Sequence, residues 1–326
     1  MIFIEKKIFL FLLIFFLLFL PPLGQSLGMY YTLHISALIG IYLLLILGLN
    51  LILGFVGLLD LGFIAFYACG AYLSALLSIR GWNFCLVLPA TIILTVLLRL
   101  LLGLPALRLR GDYLAIVTLG FGEIMRLVLN NWDGLTNGPK GLPRVGEAIS
   151  SPKFFFLTFQ SDLSFYYLIL FFVILGIIVS RRLDNSRIGR AWIAIREDEL
   201  AAETCGINVD KVKLFAFCFS AIYAATAGVL YTHWIKFISP ESFTFWESVL
   251  LVSMVVLGGM GSIPGVILAT ILVIGVPEFL RGLLGTQLVN YRMLFFGLGL
   301  VLMVIFRPQG IVPSKRRELE LHPSNE

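Results

Sequence analysis

Within the apolar run GDYLAIVTLGFGEIMRLVLNN, residues 111–131, Glu123 and Arg126 stand three residues apart. On a helix that spacing puts both on one face, where a carboxylate and a guanidinium can pair. A charge near the centre of a membrane helix costs a few kcal/mol, so the pair must face a helix bundle or an aqueous cavity. Thr118, Gly120 and Gly122 lie beside it and permit close helix approach or exposed backbone. These groups suit a passing zwitterion, and they suit a static structural ion pair equally well.

The stretch GLNLILGFVGLLDLGFIAFYACGAYLSALL, residues 48–77, raises a related question. Gly54, Gly57 and Asp60 interrupt an otherwise continuous apolar run. A broken helix frees backbone groups that lipid cannot satisfy, so the break must face protein or water. Such breaks often line transport routes. The simpler reading is a tight turn between two helices with Asp60 as an N-cap. A later break, GGMGSIPG at 258–265, carries Gly258 and Gly261 in a similar pattern and hints at an internal repeat.

Enzyme chemistry finds little support. No G-x-x-x-x-G-K-[ST] phosphate loop, GxSxG or HExxH occurs. His34, His233 and His322 are far from any nucleophile or metal partner, and no polar cluster recurs at one depth of several helices. Cys69, Cys85, Cys205 and Cys218 form no CxxC and read as small hydrophobes rather than disulfides or metal ligands. The chain is therefore expected to be no enzyme, with no cofactor, metal or nucleic acid of its own.

The elements that position these groups follow from composition. Of 326 residues, 59% are hydrophobic and 13% charged, with a mean hydropathy of +0.98. A water-soluble domain is about a quarter charged, so this is an integral membrane protein. Runs long enough to cross a bilayer lie near 7–21, 33–54, 61–79, 84–104, 112–131, 163–180, 212–235, 246–260, 263–281 and 289–307. The fold class expected is an all-α polytopic bundle of about ten transmembrane helices, with glycine-broken helices and a cytoplasmic coupling-helix loop. The first run, preceded by Lys6 and Lys7, resembles a signal peptide but lacks a clear cleavage site, and a retained helix is expected. Lys and Arg concentrate in 181–213, near 108–110 and after 306, which places both termini in the cytoplasm. Residues 1–32 then form a first helix and outer loop, 33–313 the transmembrane domain, and 314–326 a polar cytoplasmic tail.

Two further segments stand out. AIYAATAG brings Ala221, Ala224, Ala225 and Gly228 onto one helix face, a pattern for close packing in a bilayer. The outer loop 132–162 contains Thr136, Asn137, Gly138 and Lys140 in turn-forming sequence and is a candidate docking surface for an external partner.

The least expected segment is GRAWIAIREDELAAETCGINVDKVK, residues 189–213, charged and helix-favouring amid apolar spans. Acidic residues first, two alanines, then Gly206 describe a short helix and its end. Its apolar side, Trp192, Ile195 and Ala202, calls for a groove in a protein partner. A helix lying on lipid would carry Lys and Arg on its polar face, whereas residues 197–203 are acid-rich.

From about residue 35 to 313 the chain resembles the inner-membrane permease subunits of bacterial ABC-type branched-chain amino acid importers, the LivM type. The resemblance is carried by GLNLILGFVGLLDLGFIAFYACGAY, GDYLAIVTLGFGEIMRLVLNNWDGLTNGPKGL, SRIGRAWIAIREDELAAETCGIN, VLGGMGSIPGV and FRPQGIVP, in that order. It implies that 189–213 docks into the ATPase through an Ala-Ala-x-x-x-Gly core, here Ala201, Ala202 and Gly206, with Arg196, Glu197, Glu199 and Glu203 around it. Many such loops have Glu directly before the alanines; this chain has Leu200 there, with Glu199 one position earlier. The resemblance further implies a sister permease, two ATPase subunits using ATP and Mg, and a periplasmic amino-acid-binding protein, in the inner membrane with its lipid. Relatives for urea or short amides leave the solute open. The contrasting reading, a secondary transporter driven by an ion gradient, would rely on Glu123 or Asp60 to bind the ion.

Overall fold

The computed structural model describes residues 30–106, 111–144, 147–149, 151–154, 157–159, 161–277, 297–298, 301, 306 and 310–312. Helix α1, Tyr30–Asn50, continues as a π-helical stretch, Leu51–Val56. Then come α2 (Phe63–Ile79), α3 (Phe84–Ala106), α4 (Asp112–Asn131), a single turn α5 (Asp133–Thr136) and α6 (Asp162–Asp184). Two short helices, α7 (Arg187–Glu197) and α8 (Glu199–Thr204), precede the long α9 (Val209–Ile235). Helix α10 (Phe245–Gly258) and α11 (Ile263–Thr270) follow, the latter continuing as a second π-helical stretch, Ile271–Gly275. The only strands among the described residues, β1 (Lys153–Phe154) and β2 (Leu157–Thr158), pair antiparallel in a two-residue hairpin.

Helices therefore stand at eight of the ten expected places. Six of them are long and apolar enough to cross a membrane, while Phe63–Ile79 and Ile263–Gly275 are shorter. The expected spans at 7–21 and 289–307, and the question of a signal peptide, lie outside the described residues. A non-helical stretch separates Val56 from Phe63. It falls after the π-helical end of α1, where Gly57 takes φ +80° and closes the helix in the left-handed region that glycine occupies without a Cβ penalty.

The bundle is built around α1 and α9. Helix α1 is buried from Ile41 through Val56 on nearly every face, so its uniform hydrophobicity marks a central helix rather than an amphipathic one. Helix α9 packs on α2 through the small residues read from sequence. A Cβ on Gly228 would lie 2.6 Å from Ala71 N, and one on Gly70 would lie 2.7 Å from Ala225 Cα. Backbones this close gain dispersion contacts where lipid offers no hydrophobic drive. Helices α3 and α4 are peripheral, exposing Leu97, Leu101 and Leu104 on the first and Tyr113, Ile116 and Ile124 on the second.

Candidate functional site

The turn after α1 enters the protein instead of solvent. Asp60 is fully buried; its Oδ1 accepts from Gly62 N at 3.0 Å, and Oδ2 pairs with Arg99 Nη2 of α3. The Arg99 guanidinium lies between two rings, 4.2 Å from the Phe66 centroid and 4.4 Å from that of Phe217, an arrangement that compensates a desolvated cation. Thr118 Oγ1 of α4 accepts from Leu61 N at 3.1 Å. A side chain on Gly62 would run into the Thr118 carbonyl, which is why glycine is required there. Arg99 lies seven residues before the end of α3, or roughly 10 Å of helix, so the pair sits well inside an apolar helix and not at its tip. Asp60, Arg99, Thr118, Gly120, Phe121 and Phe217 border a cavity of about 420 Å³. Sequence reasoning missed Arg99 as Asp60's partner: the two are 39 residues apart, and the signal available was only that each is a lone charge in an apolar run.

Glu123 and Arg126 do pair on one face of α4, with Arg126 Nε donating to Glu123 Oε1 at 3.0 Å and Oε2 at 3.1 Å. Unlike the Asp60–Arg99 pair, both side chains keep about a third of their surface accessible. Glu123 and Gly122 border a second cavity of about 310 Å³, with Leu119, Phe243, Phe245 and Ser248. Ser248, on α10, was not singled out from sequence. Its Oγ is buried and has no hydrogen-bond partner among the described residues, which is uncommon for a buried hydroxyl. The cavity thus combines a buried hydroxyl and a carboxylate with an aromatic wall, polar groups and apolar surface together.

Helices α7 and α8 project from the end of the bundle where α6 ends and α9 begins. Ser186 caps α7, accepting from Gly189 N at 3.1 Å, and Asp198 caps α8, accepting from Leu200 N at 2.8 Å and Ala201 N at 3.0 Å. Gly206, at φ +84°, ends α8 as expected, with Ile207 N donating back to Ala202 O at 3.1 Å. The expected apolar side is used differently from the reading above. Trp192, Ile195 and Ala202 are 0%, 5% and 4% exposed, and Trp192 Nε1 donates to Val212 O of α9 at 2.8 Å. This face clamps the hairpin to its own bundle and is not available to a partner. Glu199 is likewise turned inward, 2.8 Å from Lys213 Nζ. The outward face consists of Glu197, Leu200, Ala201, Glu203 and Gly206, with Leu200 61% exposed. Arg196 faces inward as well, donating from Nη1 to Gly54 O at 2.7 Å.

The later glycine break meets the earlier one here. Gly261 N donates to Asn50 Oδ1 at 3.0 Å, and a Cβ on Gly54 would lie 2.5 Å from Gly261 N. Gly258 in turn packs on Gly265, within 2.7 Å of where its Cβ would stand.

At the opposite end, the outer loop is tied down by two backbone bonds of 2.9 Å between Leu142 and Ile238. Thr136 is buried, donating to Leu129 O at 2.6 Å, and Gly138 is buried too. Asn137 Nδ2 donates to Gly141 O at 2.8 Å. Of the four residues read as a docking surface, Lys140 alone is exposed. Among the described residues no group of three His, Cys, Asp or Glu side chains could hold a metal ion.

Comparison with known proteins places this arrangement. Residues 31–304 match the family described as branched-chain amino acid transport system, permease component. The chain is 44% identical over 310 residues to the high-affinity branched-chain amino acid transport system permease protein LivM of Escherichia coli, covering 89% of this chain and 72% of that one. The LivM protein of Salmonella typhimurium is 43% identical over 314 residues, with the same coverage. The Salmonella typhimurium permease protein LivH is 31% identical over 194 residues, 58% of this chain and 61% of its own. No solved structure matches. With most of its length inside the family match and its helices apolar enough to cross a membrane, the chain belongs to the permease components of the branched-chain amino acid transport systems.

Proposed function

We propose that this chain is half of the translocation pathway of an ATP-driven importer, carrying branched-chain or closely related amino acids across a bacterial inner membrane. It works beside a sister permease, receives substrate from a periplasmic binding protein near Lys140, and is driven by two separate ATPase subunits that bind ATP and Mg. Both termini then face the cytoplasm, as does the α7–α8 hairpin. The observation that carries the reading is the hairpin itself: a rigid, twice-capped projection anchored by Trp192, with an exposed Leu200, Ala201 and Gly206 facing outward. Among the described residues nothing covers that face. The gradient-driven alternative loses its two candidate carboxylates, because Asp60 and Glu123 each have an arginine partner.

The test is disulfide cross-linking in membranes between cysteines at Ala201 or Thr204 and the groove of the partner ATPase, with and without nucleotide. A cross-link whose yield changes with ATP is the expected result. Failure at every position from 196 to 206, in a complex that otherwise assembles, overturns the coupling role.

The cavity beside Glu123 gives a second expectation. Ser248→Ala removes a buried hydroxyl that has no partner among the described residues, so stability should not fall, since the usual loss on such a change comes from breaking a bond. A hydrogen bond from that hydroxyl to the charged end of a passing amino acid is worth about 1.5–3 kcal/mol. Uptake should therefore show KM raised about tenfold or more with the melting temperature unchanged. Wild-type uptake kinetics in proteoliposomes would remove Ser248 from the pathway.

A further inference from the structure

The sequence reading grouped Arg196 with residues that contact a partner ATPase. Its surroundings say otherwise. Arg196 is the last-turn cation of α7, but its side chain crosses to the glycine break after α1, where Nη1 donates to Gly54 O at 2.7 Å. Gly54 lies in the π-helical stretch that ends α1. The last carbonyls of a helix have no partner within it, and they form the negative end of its dipole. A guanidinium placed there satisfies a carbonyl and complements that charge at once.

The same side chain lies over the first break and points toward the second. Its Cγ stands only 2.8 Å from where a Cβ on Gly57 would be, and its Nη1 is 3.6 Å from the Cβ position of Gly261. Gly57 and Gly261 both have φ +80°, a conformation that leaves their backbone open to close approach. Asn50 completes the junction by accepting from Gly261 N at 3.0 Å. So one residue of the projecting hairpin is bonded to the end of α1 at Gly54, 142 residues away in sequence, and the second break is bonded to α1 beside it through Gly261 N and Asn50 Oδ1. From Gly57 the chain runs three residues to Asp60, which is locked to Arg99, and one more to Leu61, which is bonded to Thr118 of α4.

We propose that Arg196 is the positioning residue through which movement of the α7–α8 hairpin reaches the membrane: it ties the hairpin to the first glycine break, which Asn50 bonds to the second, and through the 57–62 turn to the helix that carries Glu123. This rests on the coupling role proposed above, and it gives Arg196 a different task from Leu200 and Ala201. Those meet the partner; Arg196 passes the displacement inward. Breaks at Gly57 and Gly259–Gly261 are where the backbone can bend; the Asn50–Gly261 bond holds them together, and Arg196 is the contact that links them to the hairpin.

The experiment uses the whole complex, with its sister permease and ATPases, in proteoliposomes with leucine-loaded binding protein outside. Three quantities are read: co-purification of the ATPase, ATP hydrolysis with and without loaded binding protein, and leucine uptake. Arg196→Ala is expected to leave ATPase association and basal hydrolysis within twofold of wild type, while uptake falls at least tenfold and stimulation of hydrolysis by loaded binding protein is lost. Arg196→Lys, which keeps a cationic donor, should recover part of the uptake. Gly57→Ala should reproduce the Arg196→Ala pattern, because its Cβ displaces the arginine stem. Wild-type coupling in Arg196→Ala overturns the proposal. Loss of ATPase association, unrelieved in Arg196→Lys with the permease still monodisperse, overturns it as well and returns Arg196 to the docking surface. No ATP-dependent uptake by the wild-type complex would instead overturn the importer reading itself.

Discussion

Arg99→Leu is expected to remove most of the folded protein. The substitution leaves Asp60 fully buried without its cation, held only by the bond from Gly62 N. Breaking one half of a buried ion pair costs about 3–5 kcal/mol, because the remaining charge stays desolvated and unpaired. That is a large share of the whole stability of a typical domain, about 5–15 kcal/mol. The surroundings add to the loss: Phe66 and Phe217 close on the guanidinium from either side, and a leucine fills their gap with a different shape. The double variant Asp60→Asn, Arg99→Met removes both charges while keeping similar volumes. It should recover most of the thermal stability, since replacing a buried pair by neutral groups is often close to neutral. Thermal unfolding of detergent-solubilised protein, followed by the loss of the monodisperse peak, reads both. Equal destabilisation by the single and double changes would show that the charges act independently. A single variant as stable as the wild type would mean that Asp60 is not held by Arg99.

Leu200→Asp should produce the opposite pattern, with full stability and no transport. Leu200 is largely exposed on a helix whose cap and anchor lie elsewhere, at Asp198 and Trp192. Changing it therefore disturbs nothing within the chain, and surface changes of this kind usually move stability by less than about 0.5 kcal/mol. At the centre of a protein–protein contact the same residue counts for more. Truncating a well-packed anchor costs about 2 kcal/mol or more, roughly thirtyfold in affinity, and a carboxylate placed in a desolvated pocket adds its own penalty. The ATPase should fail to co-purify, and ATP-dependent uptake should vanish, while the thermal unfolding curve stays that of the wild type. Glu203→Ala, on the same outward face, serves as a milder companion; rim charges contribute less than buried anchors. Normal co-purification in Leu200→Asp would place the docking contact elsewhere on the hairpin. The sequence departure noted at this position, leucine where related loops carry glutamate, then becomes a statement about the groove: it should present an apolar pocket opposite Leu200.

Asp60 and Glu123 both stood out in sequence as acids in apolar runs, the second with Arg126 three residues on. One proves to be deeply buried and tied to another helix, the other partly accessible beside a cavity. Stability should depend on the first, and passage of substrate on the region around the second.

What the sequence determined by itself was whatever depends on neighbours along the chain. Composition and run length located the helices described between residues 30 and 277, because each crossing must satisfy its backbone internally over about 20 apolar residues. The Glu123–Arg126 pair was legible because three residues of helix bring side chains together whatever the fold. Gly206 as a helix end and the small-residue face of α9 follow equally from local geometry. The tertiary structure decided the rest. A soluble helix advertises its buried face by an apolar stripe, but here lipid and core are both apolar, so nothing in the pattern tells which face of α3 turns inward. That is why Arg99 could not be matched to Asp60, nor Arg196 to Gly54, and why Trp192 and Ile195 were taken for a partner's contact when the bundle itself covers them. The two glycine breaks could be seen as alike in sequence; that they touch, through Asn50 and Gly261, is fixed only by how α1 and α10 pack, since backbone approaches this close depend on which helices become neighbours.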